Sequence, residues 1–122
     1  MEFNRITNAI NKSQIVLPRN INLHVQDEND NTLLHLAAAQ GDLNKIDKLI
    51  KRHPYLLEAK NKFGSTPLYY ATWLGQSSIV EYLMEQGADI KTKDIYDQTL
   101  MHAAAWNDDL KLVKFFLKKG FL

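Results

Sequence analysis

His35 and His102 are the side chains best suited to chemistry, because an imidazole can pass protons near neutral pH or ligate a metal. The chain has no cysteine, which removes thiolate metal sites, cysteine nucleophiles and disulfides and leaves histidine and carboxylates as metal-ligand candidates. No glycine-rich phosphate loop, nucleophile elbow, zinc-type histidine pair or EF-hand pattern accompanies the two histidines. His24 and His53 are isolated and are expected to be solvated or locally capped. His35 and His102 share one position of a sequence period, with Tyr69 at the same position between them, and a catalytic pair is not expected to recur at a repeat spacing. No cofactor, metal or catalytic residue is therefore assigned.

The period itself starts at Thr32, Thr66 and Thr99, 34 and 33 residues apart. From these threonines the chain reads TLLHLAAAQGDLNKIDKLIKRH, TPLYYATWLGQSSIVEYLMEQG and TLMHAAAWNDDLKLVKFFLKKG. Each threonine can accept a hydrogen bond from a free amide of a first helical turn, which makes it an N-cap. Pro67 follows one cap at the first helical position, where its fixed φ suits a helix; Leu33 and Leu100 stand there in the other units. Ala37, Ala71 and Ala104, followed by Ala38, Thr72 and Ala105, are small enough for neighbouring helices to approach closely. Gly41 and Gly75 then stop the first helix in a left-handed conformation, with Asp108 in their place in the third unit.

A second helix carries Ile46, Leu49 and Ile50, matched by Val80, Leu83 and Met84 and by Val113, Phe116 and Leu117, an apolar stripe at i, i+3, i+4. Gly87 and Gly120, or His53 with Pro54, end it. Extended segments are expected at Leu57 to Lys60 and Ile90 to Lys93. Each leads into a turn whose special backbone position is held by Asp30, Gly64 or Asp97.

The segment NKFGSTPLYYATWLGQSSIVEYLMEQGADI, residues 61–90, resembles a near-consensus ankyrin repeat in its G-x-T-P-L, its inter-helix glycine, its I-V-x-x-L pair and its G-A-D. The resemblance covers about three quarters of the chain, from residue 27 to 122. It implies an all-α solenoid of helix pairs with projecting turns, divided as an N-terminal cap, 1–26, and repeats at 27–60, 61–93 and 94–122. It also implies a structural, hydrogen-bonding role for the repeated histidine. In the cap, Phe3 to Leu17 is read as a degenerate unit that starts as a helix. At the other end Trp106, Phe115, Phe116, Phe121 and Leu122 are expected to pack on the preceding unit and on each other.

With 122 residues, 45% hydrophobic and 24% charged, the chain has the make-up of one small globular domain. Its net charge of +1 supplies no general attraction to nucleic acid or anionic lipid, so neither is expected as a partner. Lys111, Lys114, Lys118 and Lys119 make the last helix basic, but Asp108 and Asp109 at its start complete a charge distribution that complements the helix dipole. No apolar stretch reaches the ~20 residues that span a bilayer, and Met1 to Lys12 lacks the apolar run of a signal peptide.

The resemblance implies a non-catalytic protein–protein interaction module, monomeric, working in the cytoplasm or elsewhere inside a cell, native or after delivery into a host cell. It places turn tips and the outward side of each first helix on one concave surface. The tips are Asn29 and Asn31, Phe63 and Ser65, Tyr96 and Gln98. The helix positions are Leu36, Ala39 and Gln40, then Tyr70, Trp73 and Leu74, then Ala103, Trp106 and Asn107. Phe63, Tyr70, Trp73, Tyr96, Gln98 and Trp106 are the expected partner-binding residues, aromatic side chains being frequent hot spots. Each tryptophan has a second reading, as filler between neighbouring first helices. The alternative for the whole chain is a self-associating or truncated structural array whose exposed ends stack edge to edge.

Overall fold

In the computed structural model, residues 27–120 are described. Three helix pairs follow one another: α1 (Leu33–Gln40) with α2 (Leu43–Arg52), α3 (Pro67–Trp73) with α4 (Ser77–Glu85), and α5 (Leu100–Trp106) with α6 (Leu110–Lys118). A single 3-10 turn, Pro54–Glu58, follows α2, and no β-strand occurs among the described residues. The expected N-terminal unit, like Phe121 and Leu122, lies outside the described residues.

Each first helix begins where the sequence places it. The hydroxyls of Thr32, Thr66 and Thr99 accept from the backbone N–H of His35, Tyr69 and His102, a cap worth ~1 kcal/mol. Asp42 and Asp109 cap α2 and α6 in the same manner. Gly41 and Gly75 end the first helices at φ 73°, and Asp108 takes the same left-handed conformation at φ 55°. At Gly41 a close approach adds to the backbone demand, since a Cβ there would lie 2.9 Å from the Gln76 carboxamide oxygen. That carboxamide reaches back from the second unit to donate to the Ala39 carbonyl at 2.9 Å.

The first helices form one row, α1 on α3 on α5, each also packed on its own second helix. Ala37, Ala38, Ala71, Thr72 and Ala104 are fully buried in that row, as close helix approach requires. Ala105, expected with them, is exposed because no unit covers its face among the described residues. The stripes of the second helices supply the rest of the core: Ile46, Leu49, Val80, Leu83 and Phe116 are at most 1% exposed. Burying each is worth ~1.5–3 kcal/mol before ordering costs. Leu117 departs from its stripe at 51% exposure, and the position just before each stripe, Lys45, Ile79 and Leu112, is buried as well. The Lys45 stem is enclosed while its ammonium lies 3.7 Å from the Asp42 carboxylate.

Two expected extended segments are shorter than their sequence suggests. Pro54 starts a tight turn that sends Leu56 into the core, so Leu57 and Glu58 are helical and extended backbone begins at Ala59. Ile90 and Lys91 form a turn in which the Asp89 carboxylate accepts the Lys91 N–H. The projecting turns then register on each other through main-chain bonds. The Lys62 N–H donates to the Asn29 carbonyl at 2.9 Å, and the Ile95 N–H to the Phe63 carbonyl at 3.0 Å. Gly64 makes room for this ladder: a Cβ there would lie 2.7 Å from the Ile95 nitrogen.

Candidate functional site

The repeated histidine is a structural bolt. Its Nδ1 accepts the Thr32 N–H at 3.1 Å and lies 2.9 Å from the Thr32 hydroxyl, while Nε2 is 2.6 Å from the Ser65 carbonyl of the next unit. A carbonyl only accepts, so Nε2 carries the proton and Nδ1 is bare. Burial holds the His35 pKa below its usual value, opposed by the bond to Ser65 and by the charge of Asp27. Tyr69 makes the corresponding inter-unit bond with its phenol, which donates to Asp94 Oδ2 at 2.9 Å. Burial and then that carboxylate raise the Tyr69 pKa, keeping the phenol protonated as a donor. His102 repeats the threonine contacts at 3.0 and 2.9 Å but is exposed. Among the described residues no group of three or more His, Asp or Glu could hold a metal ion.

The turns that carry the candidate contact residues share one device. Asp27, Asn61 and Asp94 each turn a side-chain oxygen back onto the N–H groups two and four residues ahead. Asp30, Gly64 and Asp97 follow three residues later with φ of 60°, 76° and 63°. This geometry throws Phe63 and Tyr96 outward, 42% and 70% exposed. Asn31 and Ser65, expected at the tips, turn inward instead, at 3% and 7% exposure. Asn31 is held by the Asn61 carboxamide, and Ser65 offers its carbonyl to His35. Gln98, at the same place in the last turn, is exposed.

Five of the six expected contact residues meet. Phe63, Tyr70, Trp73, Tyr96 and Gln98 line one open groove of about 310 Å³ on the side of the turns and first helices, together with Asn61, Ser65, Tyr69 and Asp94. Trp106 stands outside that lining, yet its ring stacks on Trp73 with centroids 5.5 Å apart and planes 13° from parallel. The two tryptophans thus fill space between α3 and α5 and still present surface. The Asn107 carboxamide ties the same helices by donating to the Trp73 carbonyl. Asn61 and Asp94 were absent from the sequence-based contact residues. Their recurring Asp or Asn, three residues before the left-handed position, was the signal available.

A row of capped helix pairs in fixed register, with turns projecting from one edge, defines a helical repeat solenoid with a groove along its turns and first helices. A family model described as "Ankyrin repeats (3 copies)" matches residues 7–94, and one described as "Ankyrin repeats (many copies)" matches residues 74–117. The chain belongs to the ankyrin-repeat family. It is 33% identical over 86 residues to inversin of Danio rerio, covering 70% of this chain and 8% of that protein. It is 28% identical over 99 residues to the nuclear factor NF-kappa-B p105 subunit of Gallus gallus, covering 77% of this chain and 10% of that protein. It is 34% identical over 103 residues to the palmitoyltransferase AKR1 of Lachancea kluyveri, covering 75% of this chain and 14% of that protein. The chain therefore spans a small part of the relatives it matches. Ankyrin repeats are generally non-catalytic protein–protein interaction modules. No helix among the described residues is long and apolar enough to cross a membrane.

Proposed function

We propose that this chain binds a protein or peptide along its grooved concave side, with Phe63, Tyr70, Trp73, Tyr96, Gln98 and Trp106 as the contact residues. The observation that carries the reading is the convergence of five aromatic side chains, Tyr69 among them, and Gln98 on one groove, with Trp106 stacked on Trp73 in its wall. Rigid aromatic side chains on a fixed scaffold are the usual anchors of a protein interface, because little rotamer freedom is lost when they are covered. The chain is read as catalysing nothing and needing no cofactor. Its partner is a protein rather than nucleic acid or membrane, in keeping with a net charge of +1. The working site is intracellular, and the repeats divide at 27–60, 61–93 and 94–122 behind a cap at 1–26.

Cross-linked capture of a partner, followed by titration of Phe63→Ala with Tyr96→Ala, tests the surface. The double variant should lose ~2 kcal/mol or more of binding free energy with its helical circular dichroism unchanged, as both side chains project from turns. A partner held equally well by the variant would remove this groove from consideration.

A further inference from the structure

Asp94 lies at the wall of the groove with a negative charge that its turn does not require. Asn61, one unit earlier, performs the same backbone task with a neutral carboxamide: its Oδ1 accepts from Phe63 and Ser65 at 2.9 and 3.0 Å. Asp94 Oδ1 accepts from Tyr96 and Gln98 at 2.8 and 2.9 Å. Each carboxylate oxygen can accept in two directions. Both directions of Oδ1 are taken, whereas Oδ2 receives, among the described residues, only the Tyr69 hydroxyl and keeps one open. The lysines that adjoin Asp94 and Phe63 in sequence are otherwise engaged. Lys93 pairs with Asp97 at 3.6 Å, and the Lys62 ammonium sits 5.7 Å from the Phe63 ring centroid. Among the described residues no lysine or arginine forms an ion pair with Asp94.

An aromatic groove with one uncompensated carboxylate favours a cation that stacks as well as donates. A lysine ammonium is a compact, strongly hydrated charge. A guanidinium is planar, more weakly hydrated, and has five donors for the acceptors that line this groove, the Asp94 carboxylate and the Gln98 carboxamide. We propose that the groove receives an arginine side chain of the partner, its plane against the aromatic rings and its N–H groups on the Asp94 carboxylate. The inference rests on the concave-side reading above and narrows it to a partner whose anchor is arginine.

The test uses the full chain and an acetylated, amidated glycine-serine-arginine-serine-glycine peptide, with lysine and citrulline versions beside it. Citrulline keeps the shape and removes the charge. Binding is read from the tryptophan indole and from the backbone amides of Tyr96 and Gln98 by NMR. The arginine peptide should saturate these shifts. Affinity should fall about tenfold, or ~1.4 kcal/mol, for citrulline and again for arginine against Asp94→Asn, with lysine between. Asp94→Asn should fold normally, since asparagine already serves at position 61, and its thermal midpoint verifies this. Equal binding of arginine and citrulline, an unaffected Asp94→Asn, or no saturable shift at the groove would overturn the arginine proposal. A captured partner lost in the Phe63→Ala, Tyr96→Ala double variant would in that case leave the concave-side reading standing.

Discussion

The first and third helix pairs open with the same local chemistry and differ in what lies on top of them. Thr32 and Thr99 both bond a histidine three residues on, with nearly identical distances. Yet His35 is fully buried and His102 exposed. The same contrast separates Asn31 from Gln98, Ala38 from Ala105, and Ile50, 6% exposed, from Leu117 at 51%. Bonds made inside a unit follow its own sequence, whereas burial follows from the next unit along the stack. A residue type at a given repeat position therefore has no fixed energetic value in a solenoid.

The largest test of that contrast is in the apolar stripes. Leu83 is fully buried in the core, so Leu83→Ala should cost roughly 2–5 kcal/mol in urea unfolding. Leu117→Ala removes the same atoms from a half-exposed place and should stay within about 0.5 kcal/mol. Equal losses at the two positions would mean that the last helix is covered in solution.

The paired histidines sharpen the comparison at intermediate size. His35→Ala leaves the Thr32 N–H and the Ser65 carbonyl without the imidazole in a buried site, at ~1–3 kcal/mol for a group left unsatisfied. His102→Ala removes an equivalent cap contact where water replaces it, and about 0.5 kcal/mol is expected. The ratio between the two, measured by urea unfolding, isolates the bond to the next unit from the bond within the unit. A comparable loss in both variants would assign the stabilisation to the threonine cap alone.

Much of the architecture was legible because it is local. The threonine caps, the glycines after the first helices and the left-handed Asp30, Gly64 and Asp97 are all requirements of backbone geometry that residue type alone reveals. Legibility failed where burial depends on a neighbouring unit. Sequence equivalence put Asn31 and Ser65 at projecting tips and Leu117 and Ala105 in the core, and each is reversed by the presence or absence of a covering face. The 3-10 turn after Pro54 is not legible, because proline signals only where α2 must stop, not that Leu56 is drawn inward. In the groove the aromatic residues stood out by type. Asp94 did not, since an aspartate in a turn reads first as a turn former, and its charge gains meaning only beside Tyr69, Tyr96 and Gln98.

The smallest effect is a pH dependence carried by the interior histidine. Protonating Nδ1 of His35 would point a new N–H at the Thr32 N–H that it now accepts, inside a buried site. The folded chain therefore holds its imidazole neutral to a lower pH than the unfolded chain, as burial dictates against the weaker pull of Ser65 and Asp27. The unfolded chain takes up its proton near the ordinary value of about 6.5. Below that pH it binds more protons than the folded chain, so stability falls as the pH drops from there toward the depressed folded value. One proton limits the slope to ~1.4 kcal/mol per pH unit. His35→Gln keeps a third-position side chain able to reach back to the cap N–H, as in a capping box, but cannot titrate. Urea unfolding of the two proteins between pH 7.5 and about 5 should show the decline only with histidine in place. An identical decline in His35→Gln would move the titrating group elsewhere.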